Sequence, residues 1–117
     1  MMPEQEAEKS FQVILETPEG VRHLLCGRDE YLWDAAARQG VQLPSICLQG
    51  RCLSCAGKLL EGTVDQSSAD SFFAEDEEAG FVLLCRAQPR SNLHIRTHQA
   101  GEMRAHRLAN GLPAPYS

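Results

Sequence analysis

The order of local patterns along the chain predicts an α+β domain, a mixed sheet wrapped over one main helix. Three observations carry this. Two alternating strand patterns open the chain, one helical stretch follows them, and a Gly/Pro/Cys-rich loop separates that helix from further strands. At 117 residues there is room for one modest core and no second one.

Taken in order, residues 1–10 (MMPEQEAEKS) read as a disordered, acidic lead-in. FQVILET (11–17) alternates Phe11, Val13 and Leu15 with polar neighbours, as a half-buried strand does. PEG (18–20) signals a turn and VRHLLCG (21–27) a second strand, so the pair predicts a hairpin. Asp29 is the candidate N-cap of a helix over 30–39 that Gly40 stops, with Leu32, Ala35 and Ala36 on its buried face. From Leu43 to Cys55 there is no periodicity, only Pro44, Gly50 and three cysteines. Lys58–Val64 reads as a strand interrupted at Gly62, residues 67–71 as a polar turn and Ala74–Ala79 as a short acidic helix. Phe81–Cys85 is a continuous apolar run, expected of a buried strand, and Asn92–His98 alternates as a final strand. Beyond it, QAGEMRAHRLANG predicts a short helix ending at Gly111, and LPAPYS an extended end.

Composition excludes several classes. With 43% hydrophobic and 23% charged residues the chain has the balance of a soluble protein, and no apolar run approaches the roughly 20 residues that span a bilayer. The first ten residues lack the basic start and apolar stretch of a secretory signal, so the expectation is cytoplasmic residence, or the chloroplast stroma for a plastid-derived chain. Residues 1–85 hold six Lys/Arg and fifteen Asp/Glu, giving −9, whereas residues 86–117 hold five Arg and one acid, giving +4. Such asymmetry suggests docking surfaces for charged protein partners. The basic stretch is too short and too poor in aromatics for nucleic-acid binding.

Five cysteines are an odd number for a disulfide framework, which favours metal binding in a reducing compartment. Cys47, Cys52 and Cys55 form one C-x₄-C-x₂-C run, and Cys85 stands far beyond it. Soft thiolates suit zinc and iron–sulfur clusters alike. Structural zinc usually takes paired C-x₂₋₄-C motifs, whereas one such run with a remote fourth cysteine is the plant-type [2Fe–2S] spacing. Gly50 and Gly57 would let backbone N–H groups approach the cluster sulfurs. Cys26 lies in the second strand and reads as a small buried hydrophobe. None of the four histidines is assigned a metal role.

The run DEYLWDAAARQGVQLPSICLQGRCLSCAGKLLEGTVDQ, followed by EEAGFVLLC and IRTH, resembles the plant-type ferredoxins of cyanobacteria and chloroplasts over residues 11–99. The resemblance implies a β-grasp fold, one [2Fe–2S] cluster on Cys47, Cys52, Cys55 and Cys85, and one-electron transfer between protein partners by a monomer with no catalytic residues. Residues 100–117, a basic C-terminal extension, resemble those of the extended minor ferredoxins.

Departures from that family are informative. Its polar cluster loop, close to PYSCRAGSCSSC, is here PSICLQGRCLSC. Lost hydroxyls and added apolar bulk lower the potential. Arg51 opposes this by roughly 2 kcal/mol, taking ~7 Å and an effective dielectric of ~20. Ala37 and Arg38 stand where the family usually has two Glu on its first helix. Gln99, Ala100 and Gly101 replace an acid cluster that helps dock the NADP reductase, and Ser71 aligns with a phenylalanine near the family's cluster. These changes predict a carrier serving partners other than or beyond that reductase. The alternative is an iron–sulfur regulator whose cluster state controls partner binding.

Overall fold

The computed structural model describes residues 10–43, 55–69 and 72–114. Strands β1 (Ser10–Thr17) and β2 (Gly20–Gly27) form the expected hairpin, with Phe11 opposite Cys26 and Leu15 opposite Arg22. Its turn is closed by Thr17, whose hydroxyl donates to Gly20 O at 2.7 Å, while Gly20 supplies a φ of +128°. Alternation sends Val13, Leu15, Leu24 and Cys26 into the core.

Helix α1 (Leu32–Arg38) follows and buries Leu32, Ala35 and Ala36, as the sequence predicts. It starts later than expected and Asp29 does not cap it. The preceding residues are tied to β2 instead: Glu30 N donates to Gly27 O, and Gly27 N donates to the Glu30 carboxylate. Tyr31 occupies the N-cap without a side-chain capping bond, and Leu32 N is satisfied by Ala87 O at 2.9 Å.

Strands β3 (Ala56–Glu61), β5 (Phe81–Leu83) and β7 (Leu93–Arg96) complete a five-stranded mixed sheet in the order β2-β1-β7-β3-β5. β7 runs parallel to β1, and the other neighbours are antiparallel. The apolar run 81–85 is not one strand. After Leu83 the chain tightens into a 3-10 turn, Leu84–Arg86, although Leu84 N still donates to the O of Cys55, just before β3. A second, two-stranded ladder pairs β4 (Val64–Asp65) with β6 (Gln88–Pro89), and β6 is too short to leave a pattern.

Both outer strands carry a glutamine against their free edge. Gln39 accepts from Leu25 N and donates to Leu25 O on β2. Gln66 accepts from Leu83 N and donates to Phe81 O on β5.

The break at Gly62 has a steric cause as well as a conformational one. Its φ is +105°, and an added Cβ would lie 2.3 Å from Asn92 O and 2.6 Å from Leu93 Cδ2. Gly62→Ala is therefore expected to cost about 2–4 kcal/mol, combining left-handed strain with a backbone clash. Urea unfolding followed by circular dichroism measures this, and an unchanged midpoint would contradict it.

Helix α2 (Ala74–Glu78) is the short acidic helix, and helix α3 (Ala100–Ala109) is the C-terminal one. Met103 and Arg107, four residues apart, face inward and are fully buried. Gly111, at φ +69°, ends α3, and Leu112 N returns to Arg107 O. Among the described residues no helix is long and apolar enough to cross a membrane. The expected lead-in lies outside the described residues apart from Ser10, which already belongs to β1.

Candidate metal centre

Cys55 sits immediately before β3, and Cys85 lies in the turn immediately after β5. These strands are antiparallel, with Ala56 opposite Leu83, so the ladder brings the two cysteines to one end of the sheet. The Leu84 N–Cys55 O bond of 3.1 Å extends the pairing up to the cysteines themselves. Their sulfurs, 30 residues apart in sequence, are 3.1 Å apart, and both side chains are buried. A disulfide would be about 2.05 Å. Two thiolates on one tetrahedral metal at about 2.3 Å stand roughly 3.8 Å apart, a small adjustment from the observed spacing. Soft donors, burial and separation all fit two ligands of a single iron. Cys47 and Cys52 lie outside the described residues, and among the described residues no group of three or more His, Cys, Asp or Glu could hold a metal.

Cys26 belongs to a different environment. It lies on β2, at the opposite edge of the sheet from β5, with no exposure and its Sγ 3.3 Å from Glu30 O. Burial first, then the Glu30 carboxylate, pushes its thiol up to about 12, so the thiolate a metal needs is strongly disfavoured. The histidines are dispersed too. His94 contacts Glu16 at 2.7 Å, His98 contacts the Thr97 hydroxyl, His106 lies against α2, and His23 is exposed on β2. Arg96 first, then His94, holds the Glu16 carboxyl below its usual value.

Two features beside the cysteines were not foreseen. The first is Arg86, whose Nη1 donates to the Tyr31 hydroxyl at 3.2 Å while the guanidinium lies 5.2 Å from the ring centroid. A hydrogen bond with Ser68, and then Arg86, lowers the Tyr31 phenol from its usual value. The one available signal was adjacency, since Arg86 directly follows Cys85.

The second is the packing of the C-terminal helix, whose existence the sequence predicts but whose buried contacts it does not. Gln99 N donates to Ala56 O at 3.0 Å, attaching the start of α3 to the residue after Cys55. Further along, the His106 ring lies 5.2 Å from that of Phe81 on β5. Arg107 and Asp76 are both wholly buried, and Arg107 Nη2 meets Asp76 Oδ2 at 2.9 Å. Asp76 also accepts from Phe73 N at 3.0 Å, and the Arg107 guanidinium stacks 4.9 Å over the Phe73 ring. His106 Nε2 is 3.2 Å from Asp76 Oδ1 but makes no hydrogen bond to it. The extension therefore spends Arg107 inside the fold, and Arg104 donates to Ala114 O. Arg107 is thus not available as docking charge. The i, i+4 pair Met103/Arg107 was the signal that the helix has a buried face. Exposed acid remains at Glu75, Glu77 and Glu78 on α2.

Residues 16–90 match the 2Fe–2S iron–sulfur cluster binding domain family. The chain is 49% identical over 73 residues to the heterocyst ferredoxin of Microchaete diplosiphon, covering 61% of this chain and 72% of that one. It is 36% identical over 94 residues to the chloroplastic ferredoxin-6 of Zea mays, covering 79% and 60%. Among solved structures it is similar to pectocin M2, with a TM-score of 0.70 and 34% identity over 77% of this chain and 33% of that one. It is also similar to the Amycolatopsis cytochrome P450 reductase GcoB, at 0.65 and 33%, over 74% and 25%. The chain thus spans a third or less of these two solved chains.

Proposed function

Because this chain belongs to the 2Fe–2S iron–sulfur cluster binding domain family, as a plant-type ferredoxin, we propose that Cys47, Cys52, Cys55 and Cys85 hold its single [2Fe–2S] cluster. We further propose that it delivers electrons to partners other than or beyond the NADP reductase. Electron transfer, not catalysis on a substrate, is the activity its relatives carry. The observation that supports the ligand set is the Cys55–Cys85 pair, two buried sulfurs 3.1 Å apart at the end of one strand ladder. When bound, the cluster supplies a one-electron couple, its charge running from about −2 to −3.

The protein contributes placement. β3 and β5 hold Cys55 and Cys85 at fixed separation, and the apolar neighbours Ala56, Val82 and Leu84 exclude water.

Altered charge supports the shift in partners. Arg38, where relatives usually carry Glu, is fixed on Glu30 through Nε and Nη2, each at 2.9 Å. Ala100 and Gly101 form the start of α3 instead of an acid cluster. Charge at the rim governs encounter rate and partner choice more than final affinity. Stopped-flow reduction of an NADP reductase is expected to run at least about tenfold slower than with a photosynthetic ferredoxin under equal salt. Equal rates would refute the proposal.

A second reading, a regulator whose cluster state alters partner binding, is favoured by one contact: α3 begins on Ala56, beside Cys55. It predicts that a partner distinguishes oxidised from reduced protein in affinity, which a transient carrier would not require.

A further inference from the structure

Arg86 is joined to Cys85 through the backbone and shares its 3-10 turn. That turn is held from several sides. Leu84 N reaches Cys55 O, Leu32 N reaches Ala87 O, and the Arg86 guanidinium rests on Tyr31. Tyr31 is the N-cap residue of α1 and hydrogen-bonds in turn with Ser68. The arrangement restrains a long, otherwise rotamer-rich side chain, using the ring face for stacking and the hydroxyl for one N–H. Arginine does not deprotonate in proteins, so the turn that carries a candidate ligand also carries a permanent positive charge.

A fixed cation near a redox centre favours whichever state is more negative. Resting on the reading that Cys85 is a cluster ligand, we infer that Arg86 raises the reduction potential of this protein, with Tyr31 as the residue that positions it. In the reaction concerned, one electron leaves a one-electron reductant such as the dithionite radical and enters the centre held by the cysteines. No bond to Arg86 forms or breaks and Arg86 gives up no proton. Its part is electrostatic throughout.

The test is potentiometric titration of the reconstituted holoprotein, following visible absorption and electron paramagnetic resonance. Arg86→Gln is expected to reduce the equilibrium constant for reduction about tenfold, a fall of about 59 mV for one electron. Arg86→Lys keeps the charge and is expected to retain most of the wild-type potential. Tyr31→Ala removes the ring and hydroxyl on which the guanidinium rests and should give a smaller fall, and Tyr31→Phe, which keeps the ring, a smaller one still. The difference between wild type and Arg86→Gln should shrink in 1 M salt, where the screening length drops to about 3 Å. An Arg86→Gln protein with an intact cluster spectrum and the wild-type potential overturns the inference while leaving the cluster assignment standing. Should Arg86→Gln fail to assemble, an unchanged potential in Tyr31→Ala overturns it equally. A wild-type protein without any iron–sulfur signal would instead refute the ligand reading beneath it.

Discussion

Replacing Arg107 by methionine is expected to cost about 3–5 kcal/mol, because Asp76 is then left as an unpaired buried carboxylate. Both side chains have no solvent exposure, so water cannot take over the lost interaction. The Phe73 N–H still donates to Asp76, and His106 still lies 3.2 Å away, but neither replaces the paired guanidinium. Against a typical total of about 5–15 kcal/mol the loss is roughly a fifth or more of the fold's stability. The partner experiment separates pairing from packing. Asp76→Leu combined with Arg107→Met removes both charges, and the double variant is expected to recover most of the deficit. Rates of cluster release in urea, read from visible absorption, should order as Arg107→Met fastest, then the double variant, then wild type. Equal rates for the single variant and wild type would mean that the C-terminal helix contributes nothing to holding the domain together.

Cys55→Ser and Cys85→Ser are each expected to lower cluster content by more than about tenfold, since losing even an outer partner of a metal ligand costs roughly 10- to 100-fold in affinity. A serine oxygen is a hard donor in a site selected for soft ones. Cys26→Ala supplies the contrast, since that thiol lies at the other edge of the sheet with its ionisation suppressed. It is expected to keep full iron and sulfide content. Iron and acid-labile sulfide measured per chain decide the matter. Full occupancy in Cys55→Ser, or loss in Cys26→Ala, would overturn the ligand set.

Much of this was legible in the residues, for identifiable reasons. The alternation of Phe11, Val13 and Leu15 and the glycine stop at Gly111 are local signals, and the structure returns β1 and α3 close to their expected bounds. Phe81–Cys85 was misread because a buried strand and a buried 3-10 turn look alike when every residue is apolar. The strand ends at Leu83 and the turn begins at Leu84, both apolar, so no local signal marks the change. Asp29 looked like a cap because its type suits one, yet Glu30 captured the adjoining backbone through Gly27. Of the four cysteines chosen by spacing, two are described and lie side by side. Arg107 was counted as tail charge because net charge carries no information about direction. A helix face does, and Met103 four residues earlier marks it.

The glutamines on the sheet margins bear on how this protein behaves in a crowd. A strand at the edge of a sheet invites another chain to add on, through its unused N–H and C=O groups. Here Gln39 supplies both an acceptor and a donor to Leu25, and Gln66 does the same between Leu83 and Phe81. Each amide imitates a short piece of neighbouring strand and then stops. These two side chains remove part of the adhesive that would turn brief collisions into lasting aggregates.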